Sequence, residues 1–361
     1  MGEGNTTERF ARAEPMLTRR TFLASSALAA FAIRVAAASP AEAVTPALIE
    51  AAKKEGKLAF YTAMDLPVAE KFAKAFEAKY PGVAVRVERS GAERVFQRIA
   101  QEQASNIRAV DVVNTADAAH LIVWKRSGWL DAYVPEDVAR HFPAEHRDPD
   151  GTSALTRVWL SSLGYNTNLV KPEDAPRSFA DLLDPKWSGK MVKAHPAYSG
   201  TIMTATFQIA RDLGWGYLEK LARQKVMQVQ SSTDPPKKLA LGERAVMADG
   251  NDYNLIQLKE AGQPVEAIYP VEGTPQIAGP SAIFQSAPHP NAARLFQSWM
   301  HSLPGQQVLV DFARQHSAHP LVKDKAGTRK LEEIKAWKAD PAEVDKASEE
   351  IKRRYAQLFR V

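Results

Sequence analysis

Three short runs decide the fold: Leu58-Ala59-Phe60-Tyr61-Thr62, then Val83-Ala84-Val85-Arg86-Val87, then Val110-Asp111-Val112-Val113. Each is only four or five residues long and rich in β-branched or aromatic side chains, which reads as a strand. Between the first and second, residues 66–79 place Val68, Phe72, Ala75 and Phe76 on one helical face, closed by Tyr80-Pro81-Gly82. Between the second and third, Ser90-Gly91 opens a helix through Val95, Ile99 and Gln103. Strand, helix, strand, helix, strand between residues 58 and 113 predicts parallel strands joined by crossover helices, an α/β sheet.

The same texture extends outward. Upstream, Thr45 as N-cap, Pro46 at the first turn and Gly56 as a stop frame a helix with apolar Leu48, Ile49 and Ala52. Downstream, Ser178 and Asp181 form a capping-box pattern before Asp184-Pro185. Lys190 to Ala194 reads as a strand, and Ser199-Gly200-Thr201 opens an apolar helix to about Leu213. Ala245 to Ala248 reads as a strand leading into Asp249-Gly250, and Tyr253 to Gly262 as a helix. At the end, Asp340-Pro341 caps a helix whose Val344, Ala347, Ile351, Tyr355 and Leu358 form a stripe for core packing.

The N-terminus has its own grammar. Thr18-Arg19-Arg20-Thr21-Phe22-Leu23 feeds an apolar run to Ile33, ended by Arg34 and followed by Ala41-Glu42-Ala43. This reads as a twin-arginine export signal over residues 1–43, and predicts a protein that works in the periplasm. Residues 44–361 exceed the roughly 300 at which one core usually stops growing, so two lobes are expected. The net charge of +5 is mild; it favours a small anionic ligand and leaves no nucleic-acid footprint. With no cysteine, disulfides, thiolate metal sites and thiol nucleophiles are excluded. No serine-hydrolase elbow, zinc-protease helix, P-loop or dinucleotide fingerprint is present. The close histidine pairs, His141 with His146 and His316 with His319, read as solvated helix ends or turns.

Five stretches in order, Gly56-Lys57-Leu58 to Tyr61, Phe72 to Pro81, Asp181-Leu182-Leu183-Asp184-Pro185-Lys186-Trp187-Ser188-Gly189-Lys190, Tyr269-Pro270 to Thr274, and His289-Pro290-Asn291-Ala292-Ala293 to Phe296, resemble the family 1 extracellular solute-binding proteins. The branch they resemble is that of ferric-iron, phosphosugar and phosphonate binders of ABC importers, over residues 44 to about 325. The resemblance implies the periplasmic-binding-protein type II fold, two α/β lobes with a ligand cleft between them. It implies crossing strands near Val158 to Tyr165 and Tyr269 to Ile283. Lobe one is then 44–157 plus 275–325, lobe two 158–274, and 326–361 a helical segment packed on the lobes. It further implies a monomer without cofactor or catalysis, whose partners are a small solute and a membrane permease with its ATPase.

In open α/β sheets ligands sit beyond the carboxyl ends of strands. That selects Tyr61 and Thr62, Ser90 and Gly91, Thr115, and Asp249 with Tyr253. Ser90-Gly91 and Ser199-Gly200-Thr201 stand at helix starts, where free N–H groups and the dipole suit a phosphate or carboxylate, or where a serine is a plain N-cap. Arg94 reads as an exposed arginine, while Trp159, Tyr165 and Tyr61 are either cleft walls or core aromatics. The ferric branch supplies a histidine after the first strand, a glutamate after the third and paired tyrosines in lobe two. Here those places hold Asp65, Ala116 and the Asp252-Tyr253 pair. The sequence therefore favours a small organic anion, with Fe(III) on Tyr253, Asp252 and Asp65 as the alternative and an exported enzyme as a third reading.

Overall fold

Residues 40–361 are described by a computed structural model; the expected twin-arginine signal, apart from its last four residues, lies outside the described residues. In chain order, β1 (Ala41–Glu42), α1 (Pro46–Glu55), β2 (Lys57–Thr62), α2 (Leu66–Lys79), β3 (Ala84–Arg89), α3 (Ala92–Ala104), β4 (Val112–Asn114), α4 (Ala119–Arg126), β5 (Val134–Pro135) and α5 (Glu136–His141) precede the long strand β6 (Ala154–Asn166). Then come β7 (Met191–Ala194), α6 (Gly200–Leu213), α7 (Trp215–Arg223), β8 (Met227–Val229), α8 (Asp234–Ala240), β9 (Val246–Asn251), α9 (Asp252–Glu260) and β10 (Val265–Ile268). A second long strand, β11 (Thr274–Ile283), leads to α10 (Pro290–His301), α11 (Leu303–Ala313), β12 (His316–Ser317), β13 (Ala336–Trp337) and the terminal helix α12 (Pro341–Phe359).

The strands run in the order β3-β2-β4-β11-β6-β9-β7-β8. β3, β2 and β4 are mutually parallel, as are β9, β7 and β8, so each end of the sheet is one α/β lobe. β6 and β11 join them. Residues Ala154 to Leu160 of β6 pair antiparallel with β11, while Ser161 to Tyr165 pair with β9. β11 in turn reaches β4 through Ser281 to Ile283. The two-lobed α/β fold is the one the sequence led us to expect.

Local chemistry explains the elements. Thr45 caps α1 by accepting from Leu48 N–H, and Gly56 ends it at φ 73°, a left-handed conformation that favours glycine. Ser178 and Asp181 do exchange capping-box bonds at 3.0 Å, but over a 3₁₀ turn, Ala180–Leu183, rather than an α-helix. The third run begins later than expected, because Asp111 leaves the strand to hold Ala59 N–H at 2.7 Å and His289 N–H at 2.7 Å. Asp249-Gly250 also differ from expectation, lying inside β9 and not in a loop beyond it.

Apolar residues cover both faces of the first lobe's strands, with Phe60, Phe72, Phe76 and Phe296 on one side and Tyr61, Ile99 and Trp124 on the other. Leu163, Phe179, Leu182 and Leu218 centre the second core. The stripe on α12 is core, as expected, and it is shared. Val344 and Ile351 pack with Ala119 of α4 and Met203 of α6. Lys352 and Asp345 bind Glu93 of α3 and Arg126 of α4 at 3.1 and 2.7 Å. On the other side the Tyr355 hydroxyl donates to Gln228 of β8 at 2.8 Å. No helix among the described residues is long and apolar enough to cross a membrane.

Candidate functional site

Helices α3 and α6 start opposite one another, and glycine makes that possible. A Cβ on Gly91 would stand 2.6 Å from the Tyr198 carbonyl oxygen, and one on Gly200 would stand 2.7 Å from Asp117 Cβ and 2.9 Å from Ala92 Cβ. Gly91 offers α3 no side-chain cap, while Ser199 caps α6 through Ile202 N–H at 3.5 Å. Most of the first-turn N–H groups of both helices thus have no side-chain partner, and both dipoles present their positive ends to the same space.

Arg157 of β6 forms the floor. It is 1% exposed; its Nε and Nη2 donate to Asn114 Oδ1 at 3.1 and 2.9 Å, and its Nη1 donates to Gln315 Oε1 at 3.1 Å. The guanidinium lies 4.6 Å over the Trp159 ring. Among the described residues no carboxylate forms an ion pair with it. Burial pulls its pKa below the ordinary value, opposed by neighbouring Tyr253 and Asp65. Tyr253 is pushed far above the ordinary phenol value, chiefly by burial, and so stays neutral. Its hydroxyl oxygen accepts from Asn251 Nδ2 at 3.0 Å, and Asn251 Oδ1 accepts from Trp159 Nε1 at 3.2 Å. A second cation, Arg89 at the end of β3, donates to the Met64 carbonyl at 3.0 Å and to Ser231 Oγ at 3.4 Å.

These groups enclose about 10 Å³, with Arg89 and Arg157 as the charged lining and neither an aspartate nor a glutamate among the lining residues. One water needs roughly 10–15 Å³, so the space as it stands holds no more than that. A wider groove of about 790 Å³ adjoins at Arg89, between α2, α8, α9 and α11, and it mixes Asp65, Glu260 and Asp311 with Lys71 and Lys237. The enclosed space, not the larger groove, has the one-signed lining that would select an anion.

Of the residues expected from the sequence, Gly91, Ser199, Gly200, Thr201 and Tyr253 line this space, and Trp159 is one of its walls. The others are elsewhere. Tyr61 points to the opposite sheet face, where its hydroxyl donates to Glu102 at 2.9 Å under the Arg98 guanidinium. Thr62 Oγ1 accepts from Met64 N–H at 3.1 Å, and Ser90 N–H donates to the Thr62 carbonyl at 3.2 Å. Thr115 Oγ1 is bound to His120 Nδ1 and Asp117 N–H, each at 3.1 Å. Asp249 forms a fully buried pair with Lys193 at 2.5 Å. Tyr165 belongs to the second core.

The members of the candidate iron set each have protein partners, and the charges of Asp65 and Asp252 both act on Tyr253. Asp65 accepts from Asn254 Nδ2. Asp252 accepts from Leu160 N–H at 3.1 Å, Tyr253 N–H at 2.8 Å and the Tyr269 hydroxyl at 3.3 Å. Of the histidines, His316 and His319 depart from the solvated reading, His316 being buried against Asp324 at 3.0 Å and His319 1% exposed, while His141 is exposed at the end of α5. Sequence reasoning missed Arg157, Arg89, Asn251, Ser231 and Ser232. A visible sign of the first was there, a lone charge inside the otherwise uncharged run Ala154 to Leu163.

Comparison with known proteins agrees with this architecture. A family model described as bacterial extracellular solute-binding protein matches residues 57–312. A "Probable ABC transporter periplasmic-binding protein y4fP" of Sinorhizobium fredii is 23% identical over 257 residues, 68% of this chain and 69% of that one. The periplasmic binding protein AfuA from Actinobacillus pleuropneumoniae, solved with fructose-6-phosphate, superposes with a TM-score of 0.78 at 24% identity, covering 85% of this chain and 99% of that one. Iron-bound HitA from Pseudomonas aeruginosa gives 0.72 at 23% identity, covering 84% and 99%. At such identities the two structures are alike in fold, and their cargoes differ. By the match over residues 57–312, this chain belongs to the bacterial extracellular solute-binding proteins.

Proposed function

We propose that this protein is the periplasmic solute-binding component of an ABC importer, capturing a small organic anion that bears a phosphate, phosphonate or carboxylate and presenting it to the membrane permease and its ATPase. The observation that carries the reading is Arg157, a buried cation with no carboxylate partner among the described residues, set beside Tyr253 and between two facing helix starts. An unpaired buried charge is costly, and a bound anion supplies the missing counter-charge. The name of the Sinorhizobium relative supports the importer role, and the phosphosugar in AfuA supports the class of cargo. The Fe(III) alternative draws support from HitA, but a lining with one tyrosine oxygen beside Arg89 and Arg157 and no carboxylate is a poor seat for a trivalent cation.

In this reading no bond is made or broken. Lobe one (44–157 and 275–325) and lobe two (158–274) part and close about β6 and β11, with residues 326–361 packed on both. The solute drives closure by binding the closed form better, by roughly 5.5 kcal/mol for a near-complete switch. A thermal-shift screen of the purified protein against fructose 6-phosphate, inorganic phosphate, a phosphonate, small carboxylates and Fe(III)-citrate tests it. A ligand at 100 times its Kd contributes about 2.7 kcal/mol. Stabilisation by an organic anion is expected; a response to iron alone would replace the proposal with the ferric one, and no response to any would reopen the exported enzyme.

A further inference from the structure

One histidine from each of the two pairs that the sequence singles out meets the other in the fold. His141 ends α5, one turn after Asp137, and its ring centroid is 5.2 Å from that of His319, two residues beyond β12. One ligand atom from each of Asp137, His141 and His319 lies within 4.8 Å of the others. We propose that Asp137, His141 and His319 form a site for a divalent first-row metal ion of the Zn(II) type, on the first lobe and separate from the cleft.

Two features distinguish the cluster from a chance meeting. His319 is 1% exposed, yet its Nε2 has no hydrogen-bond partner. Two imidazoles and a carboxylate are also the donors that suit zinc, with a fourth position left for water. Tetrahedral bonds of about 2.0–2.1 Å set ligand atoms about 3.3 Å apart; the half-buried Asp137 and exposed His141 reach that spacing by side-chain rotation towards the fixed His319. Ligation through Nε2 moves the ring proton to Nδ1 and gives up the 3.2 Å bond from Leu321 N–H, whose exposed turn lets water replace it.

A second group, Glu93, Asp117 and His120, is equally close but already saturated. His120 bonds Glu93 at 2.8 Å and Thr115 at 3.1 Å, and Lys352 stands 3.1 Å from the same glutamate where a cation would have to sit. It is therefore the control. Metal at His319 would tie α5 to β12, which pairs with β6 through Ser317 and Arg157.

The test is calorimetric titration of the tag-free, chelator-treated protein with Zn(II), with Co(II) absorption as a spectroscopic probe of tetrahedral nitrogen ligation. One equivalent is expected to bind. H141A and D137N, both away from the core, should weaken it at least about 10–100-fold, while H120Q and Y253F leave it unchanged. Zn(II) affinity unaltered in H141A, loss of binding in H120Q instead, or no binding to the parent protein would overturn the assignment. None of these outcomes depends on which solute the cleft takes.

Discussion

Arg157→Gln is the sharpest perturbation of the cleft. The guanidinium is buried, meets no carboxylate among the described residues and stacks 4.6 Å from Trp159. Unit charges 4 Å apart attract by about 4 kcal/mol at an effective dielectric of 20, and a hydrogen bond to a charged group contributes about 1.5–3 kcal/mol. These overlap rather than add, so an organic anion should lose about 3–4 kcal/mol, or 10²–10³-fold in Kd. The ligand-free fold should be far less affected. Gln retains a donor for Asn114 and removes a desolvated charge, while Gln315 loses its partner, leaving a net change within about 2 kcal/mol. Calorimetry with the anion identified by the screen measures the first quantity, and thermal unfolding the second. Trp159 emission gives an independent optical readout, and R157K, with the charge but without the fork, should fall between. If R157Q binds the anion within threefold of the parent while its melting temperature is unchanged, Arg157 is a structural residue and the anion reading fails.

Gly200→Asp should obstruct closure, because a Cβ there meets Asp117 and Ala92 inside 3.0 Å; solute affinity is expected to fall, with a larger radius of gyration in small-angle scattering, and intact affinity would exclude the α6 start from the site. Tyr253→Phe should cost an organic ligand about 1 kcal/mol but a metal cargo far more, so abolished binding in calorimetry would argue for iron. Asp252 is lifted to about 6, first by burial and against the bonds from Leu160, Tyr253 and Tyr269. The folded protein holds that proton more tightly than the unfolded chain, so the stabilisation is complete below the ordinary value of 3.8 and is lost as pH rises through 6. In urea unfolding, the stability of the parent relative to D252N should therefore drop by about 2–3 kcal/mol between pH 4 and 7; a difference that stays flat would show that Asp252 titrates normally.

The parallel strands, their crossover helices and the helix-start glycines were legible in the sequence because each rests on local chemistry: periodicity, a cap, or a residue small enough for close approach. Gly91 and Ser199 to Thr201, which line the enclosed space, were picked out for that reason. Tyr61 and Asp249 show where such reasoning stops. Strand position locates a residue along the sheet, but alternation puts neighbours on opposite faces, and only the packing of α3 or Lys193 decides which face is core. Arg157 was missed for a related reason. Its meaning comes from what does not approach it, and the lack of a carboxylate is a property of the assembled lobes. The same holds for His141 and His319, which stand far apart along the chain and meet only once β12 is laid against β6.

Helix α12 lies beyond the segment shared with the family, residues 57–312, and grips elements on both sides of the cleft without lining it. In a protein that works by closing, apparent affinity has two factors, the hold of the closed cleft and the fraction of molecules closed. A helix that grips both lobes without lining the cleft should act on the second alone. We therefore expect substitutions such as Ile351→Ala to change the dissociation constants of all cleft solutes by one common factor; factors that differ between solutes would put α12 in contact with the site. A lineage that needs a tighter or looser transporter can thus retune it from the tail of the chain, leaving the choice of cargo under separate control.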